Sequence, residues 1–336
     1  MKSLLIGFGS IGKRHLRELS SRSREVFVFD MKNSFPEIIK EVGNATFYSD
    51  WNSLTNDHKS FDFAVISTWG PNHLTQLRNV ADLNIKSVLI EKPLASSLRD
   101  LQEIESIVEE KGLRIFENFH FRYCNFKNAI QQLEREFNLG NLIQFNISGG
   151  AKCIATTGIH YLDLCEWLFD CRPINVISDV NYAYINPRSP SLRLYGGLVK
   201  WDYPNGSKLT INMTNDSYSD AAVELIWKNA KAVFDGNTLT LFGPPDFPIF
   251  DQLTTARVKP FIQKLIQVDA VTDSTSKDGM TNLYNAFFNP RETYRNLYPG
   301  SSTKDLISAL IASELNKKLS LNRDFVDFIQ TDLEIS

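Results

Sequence analysis

Short, largely apolar runs recur along the first third of the chain: Leu4-Leu5-Ile6, Val26-Phe27-Val28-Phe29, Phe61 to Ser67 and Ser87-Val88-Leu89-Ile90. Each is followed by turn formers and then by a stretch with helical spacing. A run that is apolar at every position is buried on both faces, as a parallel strand between two helix layers is. The pattern predicts strands at these runs, at Ala45 to Tyr48 and around Leu113 to Glu117. Between them it predicts a short helix at Pro36 to Lys40, a helix running through Ala81, and another from about Ser97 to Glu110. Strands alternating with helices in this way give an α/β fold with a parallel sheet covered on both faces.

From about Asn118 the pattern changes. Strand-like runs follow at Asn141 to Ser148, Val176 to Ile185, Gly197 to Tyr203, Lys208 to Met213, Ala222 to Trp227, Ala232 to Phe234 and Thr238 to Leu241. Turn signals such as Pro204-Asn205-Gly206 and Asp235-Gly236-Asn237 join them, which indicates an open, mostly antiparallel sheet. One helix is expected at Gly158 to Phe169. The polar stretch Thr272 to Thr281 reads as a loop. Leu306, Ile307, Leu310, Ile311 and Leu315 mark an amphipathic helix over Thr303 to Leu319. With few helices to cover the sheet, its second face is expected to meet a partner subunit. The expected division is residues 1–118 and 119–336, the second an α+β domain whose C-terminal helix packs back towards the first.

The first strand runs into Gly7-Phe8-Gly9-Ser10-Ile11-Gly12 and then a helix. In such a loop the first glycine permits the tight turn, the second lets backbone approach a pyrophosphate, and the third lets helix pack on strand. The free N–H groups of the helix N-terminus then face the anion. Glycines also mark ordinary turns, but Asp30 ends the second strand roughly 20 residues on, where a dinucleotide fold places a carboxylate for the ribose hydroxyls. The first domain is therefore expected to be a dinucleotide-binding Rossmann domain. Ligands in such sheets bind beyond the carboxyl ends of the strands, so Ser67 to His73, Glu91 to Pro93 and Asn118 to Tyr123 should converge on one crevice.

Composition narrows the partners. A net charge of -3 without a basic run argues against nucleic acid, and no apolar stretch approaches the roughly 20 residues that span a bilayer. The chain starts directly on a strand, leaving no export signal, so a cytoplasmic protein is expected. Cys124, Cys153, Cys165 and Cys171 lack paired spacing and read as reduced thiols, and no histidine pair has metal-ligand spacing, so no metal is expected.

Four stretches, in order, carry a resemblance: Gly7 to His15, Thr68 to His73, Glu91-Lys92-Pro93 and Gly158-Ile159-His160-Tyr161-Leu162-Asp163. Together they resemble the glucose-fructose oxidoreductase, inositol dehydrogenase and rhizopine-catabolism (Gfo/Idh/MocA) family. The match covers the first half of the chain; the second half is similar mainly in its strand pattern. The resemblance implies hydride transfer between a nicotinamide and a hydroxyl or keto carbon, often of a sugar or nucleotide sugar. It also implies a homodimer or homotetramer formed through the second-domain sheet.

On this resemblance Lys92 and His160 are the catalytic candidates. Near an oxidised nicotinamide, desolvation and cationic charge would both lower the pKa of the Lys92 amine towards the range where it can trade protons. The family commonly carries an aspartate four residues before the histidine; Thr156 stands there, and a hydroxyl cannot stabilise an imidazolium as a carboxylate would. Lys92 is therefore assigned the main acid/base role and His160 a binding or auxiliary one. The cofactor set is Gly7, Phe8, Gly9, Ser10, Ile11, Gly12, Asp30, Ser67, Thr68, Asn72, His73, Glu91, Lys92 and Asn118. Asp30 favours NAD because a carboxylate repels the 2′-phosphate of NADP, a preference that Arg14 and Lys32 soften. Substrate contacts are sought at Trp69, Arg122, Tyr123, Lys152, Thr156 and Asp163 besides Lys92 and His160. Asp163 can equally cap a neighbouring loop. A non-catalytic nucleotide-binding sensor on the same fold stays open as the alternative.

Overall fold

The apolar runs fold as strands because their side chains have helices to bury against on either side. The computed structural model describes all residues except 32–41, 59, 84, 151–152, 186–192, 215–216, 218, 237, 244–260, 268–276, 289–299 and 321–336. Two units emerge, one from Met1–Asn118 with Met280–Lys304, the other from Phe119–Gly279 with the described residues from Asp305.

The first unit holds β1 (Lys2–Ile6), β2 (Glu25–Phe29), β3 (Ala45–Tyr48), β4 (Phe63–Ile66), β5 (Ser87–Ile90) and β6 (Arg114–Glu117). All neighbours are parallel, in the order β3-β2-β1-β4-β5-β6. Helices α1 (Ser10–Arg22), α2 (Trp51–Asp57), α3 (His73–Ala81) and α4 (Leu98–Lys111) connect them. Leu4, Leu5, Val28, Ala64, Val65, Ile66, Val88, Leu89 and Ile90 are wholly buried. Burial of each such aliphatic side chain contributes roughly 1.5–3 kcal/mol, so the strand ends stand on a stiff floor. The order reverses between β1 and β4, the switch point at which such sheets bind ligands. α4 starts where Ser97 Oγ accepts the Asp100 N–H at 3.0 Å, and stops at Gly112, whose φ is +60°. The helix expected at 36–40 lies outside the described residues.

The second unit is built on β7 (Leu142–Gly150), β8 (Asn175–Ile185), β9 (Arg193–Asp202), β10 (Lys208–Thr214), β11 (Ala222–Trp227), β12 (Lys231–Phe234), β13 (Thr238–Gly243) and β14 (Phe261–Gln267). They lie in the order β14-β13-β12-β11-β7-β10-β9-β8, antiparallel except for the parallel pair β7/β10. Side chains of β10, β11 and β13 alternate between buried and more open positions, the mark of a sheet covered on one face. On the other side Ile177, Leu198 and Leu265 are exposed. α5 (Asn125–Glu136) buries Phe126, Ala129, Ile130 and Leu133, and Phe126 meets the Phe234 ring at 4.6 Å. α6 (Ile159–Phe169) is buried nearly all round.

Two helices close the described chain, α7 (Lys277–Phe288) and α8 (Ser301–Ser320). The polar stretch expected as a loop at Thr272 to Thr281 is helical from Lys277; its earlier part lies outside the described residues. Leu283, Tyr284, Ala286 and Phe287, at helical spacing, are buried, and Phe287 meets the rings of Phe63 and Phe116 at 5.5 and 5.1 Å. That anchorage draws the preceding polar residues into the helix. Strand β14 and helices α2 and α5 are also elements that the periodicity did not single out. No helix among the described residues is long and apolar enough to cross a membrane.

Candidate functional site

In-register parallel pairing sets Phe29, Ile6, Ile66, Ile90 and Glu117 side by side across β2, β1, β4, β5 and β6. The next residue of each strand is therefore Asp30, Gly7, Ser67, Glu91 or Asn118, a row along the carboxyl edge. Backbone bonds stitch it together: Gly7 N–H donates to Phe29 O at 2.8 Å, Ser67 to Ile6 at 2.8 Å, Glu91 to Ile66 at 2.9 Å and Asn118 to Ile90 at 2.9 Å. All five are residues that the sequence put forward for the cofactor.

At the switch point the glycines form a cradle. Gly7 has φ +93°, and a Cβ there would lie 2.8 Å from the Thr68 nitrogen. A Cβ on Gly12 would fall 2.2 Å from Gly7 O, so loop and helix touch backbone to backbone. Above Gly9 a Cβ would meet nothing within 4 Å. Gly9 is the N-cap of α1 and gives no side-chain cap, leaving the first-turn N–H groups of Ser10 and Ile11 for an anion. Phe8 is buried and its N–H donates to Asp30 Oδ2 at 2.6 Å, which fixes the carboxylate beside the loop. Ser67 Oγ reaches Gly7 O at 2.8 Å and Ile6 O at 3.1 Å, so it braces the turn from below. Thr68 Oγ1 is buried with no partner among the described residues. An open cradle, uncapped helix donors and an unanswered hydroxyl fit a dinucleotide, whose pyrophosphate Gly9, Ser10 and Ile11 would hold and whose ribose Asp30 would take.

Glu91, buried, precedes Lys92 and a cis bond to Pro93. Its Oε1 accepts from Asn118 Nδ2 at 2.6 Å and lies 3.0 Å from His15 Nε2. The other nitrogen of that fully buried ring, Nδ1, lies 2.8 Å from Tyr284 OH. Burial alone would push the Glu91 carboxyl up; the His15 contact, the Asn118 amide and the charge of Lys92 outweigh it, and the net is a lowered pKa. Glu91 and Asn118 thus bind one another. His15 and Tyr284 were assigned no role from the sequence. Its one available signal is a histidine within the apolar stripe Gly12, His15, Leu16, Leu19 of α1.

His73, fully buried, has Nδ1 3.0 Å from Pro93 O and 3.3 Å from Leu94 O, and Nε2 3.0 Å from Thr68 O. Burial lowers its pKa against the pull of these carbonyls. The neutral ring bolts the loop after β4 to the loop after β5. Asn72 is exposed at the head of α3 and makes no side-chain cap, and Trp69 is 46 % exposed. Glu117 holds the next stretch in place: Oε1 accepts from Leu94 N at 3.0 Å and Thr303 Oγ1 at 2.7 Å, and Oε2 from Gly300 N at 3.0 Å.

In the second unit a π-helical turn, Ile154–Gly158, leads into α6. Thr157 and Gly158 N–H both point at Cys153 O, at 2.8 and 3.3 Å, and Thr156 sits half-buried in this turn. Such turns are frequent at functional sites. His160, buried one residue into α6, lies against Phe121 and Phe119, with ring centroids 5.3 and 6.0 Å away. Asp163, fully buried, takes Arg122 in a forked pair, with Nε donating to Oδ2 at 2.6 Å and Nη2 to Oδ1. Burial opposes the guanidinium's charge, but Asp163 holds its pKa above the ordinary value. Arg122 also stacks on Phe119 at 5.7 Å, and Tyr123 is buried beside it in the chain. Lys152 and Lys32 lie outside the described residues. The cysteines are free thiols, and no cluster of metal-ligating side chains stands among the described residues.

Comparison with known proteins adds three findings. Residues 1–119 match the profile described as GFO_IDH_MocA, an oxidoreductase family with an NAD-binding Rossmann fold. Inositol 2-dehydrogenase of Salmonella typhimurium is 28 % identical over 190 residues, covering 51 % of this chain and 55 % of its own. The chain spans about half the length of the curated relatives it matches. Among solved structures, a super-repressor mutant of Gal80p from Saccharomyces cerevisiae superposes with TM-score 0.70 at 13 % identity, over 94 % of this chain and 96 % of that one. UDP-N-acetylglucosamine 3-dehydrogenase from Acidithiobacillus ferrooxidans does so with TM-score 0.64 at 17 % identity, over 94 % and 97 %. At such identities the likeness is one of fold.

Proposed function

We propose, from the match of residues 1–119 to the Gfo/Idh/MocA oxidoreductase family, that the chain is an NAD-dependent oxidoreductase acting on a hydroxyl or keto carbon of a neutral sugar or polyol. The observation that carries the reading is the row Asp30, Gly7, Ser67, Glu91, Asn118 at the carboxyl edge of one parallel sheet, with Lys92 directly after it. NAD, when bound, supplies the hydride acceptor or donor. The chain's residues do the rest. Gly9, Ser10 and Ile11 hold the pyrophosphate. Asp30, fixed by the Phe8 N–H, takes the ribose and disfavours a 2′-phosphate. Lys92 takes the hydroxyl proton during oxidation and returns it during reduction. His160 binds and orients the substrate hydroxyl.

A neutral substrate is supported by Arg122, whose charge is answered by both oxygens of Asp163. A guanidinium so engaged offers little to the diphosphate of a nucleotide sugar. Titration with NAD and NADP, followed by a panel of polyols, sugars and nucleotide sugars read at the nicotinamide absorbance, tests these points. Lys92→Ala should lower turnover roughly 100- to 10,000-fold with NAD affinity nearly unchanged. Undiminished turnover in that variant would remove the assignment.

Thr156 favours a second reading, a nucleotide-binding sensor, because no carboxylate stands at that position to charge the His160 ring. Tight NAD binding without turnover of any compound in the panel would select it.

A further inference from the structure

The Glu91 carboxylate is more than a strut in the strand-end row. It is the charged group peptide-bonded to Lys92, and its environment is set from three other elements. Oε1 receives the Asn118 amide from the end of β6 and His15 Nε2 from α1, while Tyr284 of α7 closes on His15 Nδ1. His15 and Tyr284 are wholly buried, their rings edge to face with centroids 5.7 Å apart. Burial keeps the Tyr284 phenol protonated far beyond its ordinary range, with the charges of Glu18 and Glu91 adding to the effect and Arg22 opposing it. An ionised carboxylate only accepts, so the Nε2 that faces Glu91 Oε1 at 3.0 Å is the donor of that contact, and the Tyr284 hydroxyl holds the opposite nitrogen at 2.8 Å. Tyr284 thereby fixes the orientation of the ring that presents Nε2 to the carboxylate.

We propose that Tyr284 and His15 are positioning residues that hold Glu91 as an anion and, through it, set the basicity of the Lys92 amine. A fixed carboxylate beside an ammonium favours the charged amine, so this chain of contacts counters the lowering expected from a cationic nicotinamide and keeps Lys92 within reach of both proton states. Among the described residues His73 also couples to Glu91, and it is neutral and engaged with backbone carbonyls. The proposal rests on the reading of Lys92 as the acid/base.

Competitive acylation of the intact protein with trace acetic anhydride across pH, read peptide by peptide by mass spectrometry, gives the titration of Lys92 without any turnover. Lys231, paired with Glu224 in the second unit, serves as the reference. Glu91→Gln should lower the Lys92 midpoint by about one pH unit, and Tyr284→Phe should move it the same way by less. His15→Met should behave like Tyr284→Phe. His15→Gln, which keeps a donor where Nε2 stood, should restore the wild-type midpoint. Circular dichroism melts qualify each variant as folded, and if Tyr284→Phe does not fold, the His15 pair decides. An unmoved Lys92 midpoint in Glu91→Gln, or equal midpoints in His15→Gln and His15→Met, overturns the proposal. A wild-type protein that shows the coupling but no turnover with any substrate refutes the oxidoreductase reading instead, so the two failures are distinct.

Discussion

Three glycines within six residues do different jobs, and their neighbours tell them apart. A methyl on Gly12 would meet Gly7 O at 2.2 Å, in backbone that cannot swing aside. Gly12→Ala should therefore cost about 1–3 kcal/mol of stability through overpacking and lose NAD binding with it. A methyl on Gly9 meets nothing within 4 Å and its φ is -76°, so Gly9→Ala should keep stability within about 0.5 kcal/mol. It should still weaken NAD at least tenfold if the pyrophosphate lies where the cradle opens. Thermal melts beside NAD titrations separate the two, and an unchanged affinity in Gly9→Ala would move the pyrophosphate elsewhere. The loop and Asp30 were legible because each is a local pattern a few residues long. His15 and Tyr284 were not, since their bond joins residues 269 positions apart and neither has a distinctive neighbour. Arg122 was legible as a residue and not as a contact: the sequence offered it to the substrate, and the fold gives it Asp163.

The periodicity that marks elements works only when one face differs from the other. β4 and β5 declared themselves by being apolar throughout, whereas the stripe Phe126, Ala129, Ile130 and Leu133 of α5 went unmarked among its many polar neighbours. α6 is buried on nearly every side, so its pattern located it without saying which face would do chemistry. The π-helical turn ahead of it left no trace, because a single extra residue in a helix changes hydrogen bonds and not composition. What fixes α6 to the short turn His120–Tyr123 is the Arg122–Asp163 pair, buried with side-chain exposures of 11 % and 0 %. Asp163→Asn leaves a buried guanidinium without its counter-charge and should destabilise the second unit by about 3–5 kcal/mol. Replacing both, Arg122→Met with Asp163→Leu, should recover most of that loss, since two apolar side chains remove the desolvation cost along with the attraction. Urea unfolding followed by tryptophan fluorescence checks it, three of the five tryptophans being Trp167, Trp201 and Trp227 of this unit. A double variant no more stable than Asp163→Asn would mean that the pair is irreplaceable for shape.

At the scale of the whole chain, the change from parallel to antiparallel patterning near Asn118 was visible because it changes the hydrophobic period. The return of Met280–Lys304 to the first unit was not, since it is made by contacts such as Arg114 to Phe287 O at 3.1 Å and Arg22 to Asn285 at 2.9 Å. Both units share one liability. Tyr161 and Tyr203 in the second and Tyr284 in the first are buried, and burial is the largest cause raising each phenol above its ordinary 10.0. A phenol whose folded pKa lies above its unfolded one holds a proton that the unfolded chain gives up. The stability it confers is whole below pH 10 and drains as pH rises above that value, by roughly 1.4 kcal/mol per pH unit for each such phenol. Tyrosinate absorbance should therefore include a late stage in which these three ionise together with loss of the far-ultraviolet dichroism. Tyr203→Phe makes the decisive comparison, because the Tyr203 hydroxyl is buried with no partner among the described residues. Its removal should leave the neutral-pH melt unharmed and shift the alkaline transition of the second unit upward. Tyr284→Phe removes the bond to His15 and should lower the neutral melt instead. If tyrosinate absorbance at Tyr203 grew while the fold stayed intact, burial would not be what holds its proton.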